Sequence, residues 1–285
     1  MRIGYSGEDK IEDERRQFGM AYLRRFILML QFLTAIPVNI SVKAEREDFG
    51  KGLATAPVVG FLIGILLAGG NYVLRLLFPP GVAAVFTIAL YVALTGGLHL
   101  DGLGDTADGL FSNRPAERIL EIMKDSRVGT NAVLTILIVI LLNISLIAVL
   151  EDYTLFILLL MPVAGRIGSL ISSGTSRYAG ISDGPGRWCV ECCGKNDVIL
   201  GLILYFILFA AAGGVLFQTA GMASQASFAF YVLMILAAIP PVSAFLLARF
   251  LGRKLGGVTG DILGAVCELN QVVFLLASYL LMKLV

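Results

Sequence analysis

The sequence predicts an all-α polytopic integral membrane protein, and three observations carry that prediction. Of 285 residues, 57% are hydrophobic and 15% charged, whereas a soluble domain carries about 25% charged residues; mean hydropathy is +0.84. Seven apolar runs are long enough to cross a bilayer, at 53–78, 82–100, 132–150, 154–172, 198–217, 228–248 and 262–284. The basic residues between those runs alternate from one connection to the next. Loops 39–52 (Lys43, Arg46, Lys51), 101–131 (Arg114, Arg118, Lys124, Arg127), 173–197 (Arg177, Arg187, Lys195) and 249–260 (Arg249, Arg253, Lys254) carry them, while 79–81, 151–153 and 218–227 carry none. The positive-inside rule puts the first set in the cytoplasm and the second outside.

Taken in order, residues 1–19 mix both charge signs and read as a solvated tail, with 20–285 a single membrane-embedded domain. No cleavable signal peptide is expected, because no short apolar core followed by a small-residue cleavage site occurs there. The segment "FILMLQFLTAIPV" (26–38) is short for a span and basic on both flanks. It is predicted to be an interfacial or re-entrant helix ended by Pro37. Seven spans then give an internal N-terminus and an external C-terminus. With a net charge of +1, neither a nucleic-acid surface nor an acidic tail dominates the chain. Cys189, Cys192 and Cys193 in "WCVECCGK" lack a nearby histidine, so reduced thiols are expected rather than structural zinc.

The chemistry concentrates in "GGLHLDGLGDTADGL" (96–110). Asp101, Asp105 and Asp108 are spaced four and three apart, which turns a helix by about 400° and 300° and puts all three on one face. Asp261 opens the last span, and Glu268 shares its face about 10 Å deeper. Carboxylates beside hydrocarbon need neutralising by protons or by a hard divalent cation. Two Mg²⁺ ions so held can clamp the oxygens of a phosphoryl displacement. Arg166, inside the fifth span, requires an anion, either a protein carboxylate or a substrate diphosphate. Arg127, Lys124, Arg177 and Lys195 lie in loops able to cover such a site; Arg127 equally suits a local ion pair with Asp125. His99 is expected to orient Asp101 from behind, and Glu121 lies four residues before Asp125.

Five segments carry a resemblance: "QFLTAIPV" (31–38), "APVVGFLIG" (56–64), "TGGLHLDGLGDTADGLFS" (95–112), "RILEIMKDSRVGT" (118–130) and "GGVTGDILGAVCEL" (256–269). In this order they resemble the cobalamin synthase family, the adenosylcobinamide-GDP ribazoletransferases. The resemblance implies Mg²⁺-dependent transfer of the adenosylcobinamide-phosphate moiety from adenosylcobinamide-GDP to α-ribazole or its 5′-phosphate, with GMP released. On that basis Asp101, Asp105, Asp108 and Asp261 are expected to hold metal. Arg127, Arg166, Lys124, Asp125 and Lys195 are expected around the phosphates, with Arg127 aiding GMP departure and Asp108 or Glu268 taking the acceptor proton. The active site would face the cytoplasm, and a homo-oligomer or other cobalamin-assembly enzymes would be partners beside the lipid bilayer. The chain departs from the family pattern at Ala35, where a basic residue is usual, at Gln271, where an acid is, and in the cysteine cluster.

Two other classes compete. CDP-alcohol phosphotransferases share the metal logic, but their Asp-Gly-x-x-Ala-Arg pattern is absent after Asp101. A cation- or proton-coupled transporter would place its acids near mid-bilayer in repeated halves, and no repeat is visible here.

Overall fold

Runs of Leu, Ile, Val and Ala that enter lipid must satisfy their own backbone groups, and only a helix does so within one segment. The computed structural model describes residues 7–219 and 226–283, and among them it contains twelve α-helices. They are α1 (Gly7–Leu33), α2 (Arg46–Gly52), α3 (Ala56–Leu77), α4 (Pro80–Thr95), α5 (Leu98–Phe111) and α6 (Ala116–Ile122). α7 (Thr130–Val149), α8 (Thr154–Thr175), α9 (Pro185–Glu191), α10 (Lys195–Thr219), α11 (Ala226–Gly252) and α12 (Gly260–Met282) follow. Six of them are long and apolar enough to cross a membrane, and α4 with α5 forms a further, bent pair.

α8 is the axis of the bundle, with α3, α10, α11 and α12 packed around it. From Phe156 to Ser173 every residue except Leu159 is buried. Its tightest neighbour is α3, which presents Gly60 and Gly64, four apart, to the α8 backbone. A Cβ on Gly64 would stand 2.1 Å from the Leu159 carbonyl oxygen, the small-xxx-small contact by which apolar helices approach closely.

Two expectations are corrected. The second apolar run does not continue straight from 82 to 100. α4 stops at Thr95, and Gly96 (φ 61°) and Gly97 (φ 72°) both adopt left-handed backbone, which L side chains rarely tolerate. The chain turns 92° there. α4 is thus about 24 Å long at 1.5 Å per residue, and α5, which carries the aspartates, runs off at that angle instead of extending it. The N-terminal element also differs: α1 begins at Gly7, inside the predicted tail, and ends at Leu33, before Pro37. Residues 34–45 are not helical, and the Ala35 N–H donates to the Leu94 carbonyl at 2.7 Å, closing the open end of α4. Residues 1–6 of the tail, most of the 218–227 connection and the last two residues lie outside the described residues.

Candidate functional site

α5 packs between α12 and α7, and one glycine sets how closely. A Cβ on Gly102 would meet the Asp261 carbonyl oxygen at 2.9 Å and its Cα at 3.0 Å; one on Gly264 would meet His99 Cα at 3.3 Å. With only hydrogen at these positions the helices touch backbone to backbone. The first turn of α12 then sits beside the aspartate face of α5. Thr259 fixes that turn by accepting the Ile262 N–H at 3.2 Å.

The carboxylates feel one another. Burial pushes Asp105 up to about 7, and Asp101, Asp261 and Asp108 push it the same way. They do not form a closed cage, because among the described residues no three of their oxygens lie within 4.8 Å of one another. The donor set is all carboxylate, without thiol or imidazole, as a hard cation prefers. Its open spacing suits Mg²⁺, which keeps waters and phosphate oxygens in its shell rather than an all-protein cage.

Asp108 is placed differently from its two neighbours. Its carboxylate accepts the Gly129 N–H at 2.7 Å on one oxygen and the Ala132 N–H at 2.9 Å on the other. It thus caps the start of α7 across a gap of 21 residues, and both oxygens are occupied. The role of proton acceptor does not follow from this geometry. Asp108→Ala is expected to cost about 1–2 kcal/mol, the usual loss for a helix cap, read as a lower melting temperature of the detergent-solubilised protein.

Beyond Asp261 opens a cavity of about 310 Å³. Lys124 of the α6–α7 connection, Tyr178, Asp183 and Arg187 line it with Gly184–Gly186 and Asp261. Its far wall is the loop before α9, which a two-sided backbone bridge pins to the approach of α12. The Val258 N–H donates to the Arg177 carbonyl at 2.8 Å, and the Ala179 N–H to the Val258 carbonyl at 2.9 Å. Sequence reasoning missed Tyr178, Asp183 and Arg187. The available signal was the glycine-rich "AGISDGPG" between Arg177 and Arg187.

Several predicted site residues lie elsewhere. Arg166 is fully buried in α8; its Nη1 donates to Tyr91 Oη at 3.3 Å. Tyr91 donates to Glu268 Oε1 at 2.6 Å and accepts from Gln271 Nε2 at 2.8 Å. Arg166 is thus linked through Tyr91 to a protein carboxylate inside the bundle, and Glu268 joins this network instead of lining the cavity. Glu268→Ala is expected to cost about 1–3 kcal/mol by leaving the buried Tyr91 hydroxyl without its acceptor, and adding Arg166→Met should recover part of that loss; a double-mutant cycle of melting temperatures measures it. His99 turns away from Asp101, with Nδ1 3.6 Å from Cys267 Sγ. His99, Cys267 and Glu268 are spaced for an ion, but the buried Arg166 guanidinium close by opposes a cation there.

Arg127 takes the local option. Its backbone and side chain both bond to Asp125, and its side chain is 88% exposed; this holds Asp125 down at about 2. Glu121 pairs with Arg118 on the exposed side of α6. Lys195 is exposed at the start of α10 and does not line the cavity. The cations that do are Lys124 and Arg187. The cysteines are free, and burial raises the thiols of Cys189 and Cys193, the latter to about 12, which keeps them protonated and unreactive.

A multi-pass helical bundle with carboxylates and two lysine or arginine side chains around one cavity defines a membrane enzyme that handles an anionic substrate. The comparisons give it a family. Residues 25–279 match the family model described as cobalamin-5-phosphate synthase. The chain is 48% identical over 262 residues to an adenosylcobinamide-GDP ribazoletransferase of Acetivibrio thermocellus, covering 92% of this chain and 99% of that one. It is 45% identical over 261 residues to one of Clostridium acetobutylicum, covering 91% and 97%. No solved structure matches. The chain belongs to the cobalamin-5-phosphate synthase family and is a transferase of cobalamin assembly. The transporter and lipid-headgroup alternatives fall with that membership.

Proposed function

We propose that this chain transfers the adenosylcobinamide-phosphate moiety of adenosylcobinamide-GDP to α-ribazole or its 5′-phosphate at the α5–α12 face, on the cytoplasmic side, with Mg²⁺ required. The observation that carries it is the backbone contact of Gly102 with Asp261, which joins two acidic segments more than 150 residues apart beside a cavity lined by Lys124 and Arg187. The sidedness rests on the basic residues of loops 101–131, 173–197 and 249–260.

Asp101, Asp105 and Asp261 would hold the metal, and bound Mg²⁺ would neutralise the diphosphate and polarise the reacting phosphorus. Lys124 and Arg187 hold the phosphate oxygens from the opposite wall. The glycine loop 184–186 lets the nucleotide lie close to backbone. The ribazole 3′-hydroxyl oxygen forms a bond to the phosphorus next to the aminopropanol arm. The bond to the GMP phosphate oxygen breaks, and the hydroxyl proton passes to a carboxylate of this face. An interfacial site suits a large amphipathic corrinoid.

The test uses membranes containing the full chain, incubated with adenosylcobinamide-GDP and α-ribazole. GMP release is expected with Mg²⁺, falling to background with EDTA and returning when Mg²⁺ is restored. GMP release unaffected by EDTA would remove the metal from the proposal.

A further inference from the structure

On the far side of α5 from the aspartates lies a second cavity, of about 370 Å³, between α5, α7, α11 and α12. Its lining is mostly apolar: Leu103, Ala107 and Leu110 of α5, with Phe250, Ala265 and Leu269. Leu103 and Ala107 are each two residues from Asp105, about 200° around the helix, so the cavity backs onto the catalytic face and does not open into it. Two features show that it is built for more than packing. Thr106 is among the lining residues, is 2% exposed, and its buried hydroxyl has no hydrogen-bond partner. Threonine in a helix ordinarily bonds back to the carbonyl four residues earlier, so this oxygen is left for something else.

The second feature is charge. Arg253 and Lys254, exposed at the end of α11, form the rim. Neither makes an ion pair among the described residues: Lys254 Nζ reaches the Leu110 carbonyl at 3.4 Å, and the Arg253 guanidinium lies over the Phe250 ring at 5.7 Å. Phe250 and Phe111, 66% and 68% exposed at the mouth, face what a membrane protein presents to lipid. Apolar walls, one buried hydroxyl and two cations without an ion pair among the described residues match one amphiphile.

We propose that this cavity binds an anionic glycerophospholipid, with one acyl chain between α5 and α11, a glycerol ester oxygen on Thr106 and the phosphate on Arg253 and Lys254. Basic pockets between helices on the cytoplasmic side are the usual place for such headgroups. The lipid braces α5 from behind, opposite the catalytic cavity.

The test is native mass spectrometry of the detergent-solubilised full chain titrated with dioleoylphosphatidylglycerol or dioleoylphosphatidylcholine. The wild type should retain one phosphatidylglycerol in preference to phosphatidylcholine. Arg253→Gln with Lys254→Gln should weaken phosphatidylglycerol binding about twenty-fivefold, two cations each worth a factor of about five, and leave phosphatidylcholine unchanged. Ala107→Phe, which fills the cavity, should remove both. Unaltered phosphatidylglycerol binding in the surface double variant overturns the proposal, whatever the folding of Ala107→Phe. So does one-for-one displacement of the lipid by α-ribazole 5′-phosphate, which would make the cavity a substrate site.

Discussion

Asp105→Asn will lower GMP release by about 10²–10³-fold, the range for removing one preorganised electrostatic contact, and will leave the metal-free protein as stable as before or more so. Both halves follow from the same crowding. Asp105 is half-buried and pushed up to about 7, by burial and by Asp101, Asp261 and Asp108. An amide of the same shape removes that repulsion and, with it, one of the oxygens proposed to hold the metal. A residue that merely packs would behave oppositely, losing stability and keeping turnover. GMP release at saturating Mg²⁺ and melting temperature in EDTA, measured on one preparation, separate the two cases. Near-normal turnover would take Asp105 out of the site.

The second large effect is expected at a residue with no side chain. Gly102→Val puts carbon within about 3 Å of the Asp261 backbone, and backbone cannot rotate away as a side-chain tip can. α5 must shift from α12, at a cost of about 1–3 kcal/mol for overpacking. Asp101 and Asp105 move off Asp261 with it, and a displacement of about 1 Å can lower turnover about 10²-fold. The Mg²⁺ concentration for half-maximal activity should rise as well. Gly69→Ala is the control: nothing lies within 4 Å of its Cβ, so turnover and metal dependence should match the wild type. Equal losses at both positions would reduce the Gly102 effect to general instability.

Much of this architecture is legible from the chain. The apolar runs that predict α7, α8, α10, α11 and α12 match those helices to within a few residues at each end, because a lipid-facing backbone leaves no alternative to a helix. The shared face of Asp101, Asp105 and Asp108 holds too, since 3.6 residues per turn does not depend on neighbours. What failed was direction. Gly96 and Gly97 announce a flexible point, but nothing in "GGL" says that both take positive φ and turn the chain 92°. Asp108 and Arg166 failed for a related reason. A carboxylate and a guanidinium advertise a need for partners and do not name them: Asp108 found the α7 backbone, and Arg166 found Tyr91 and the field of Glu268. Lys124, Tyr178 and Arg187 join one cavity only because residues 177–179 pair with Val258.

By itself the sequence determined that this is a helical membrane protein and which acids share a helix face. Those properties come from local geometry and from the cost of polar groups in hydrocarbon. Only the tertiary structure decided which carboxylates meet, which are consumed as caps or buried partners, and which basic residues face them. These depend on contacts between segments far apart in the chain, where one missing side chain at Gly102 sets the distance.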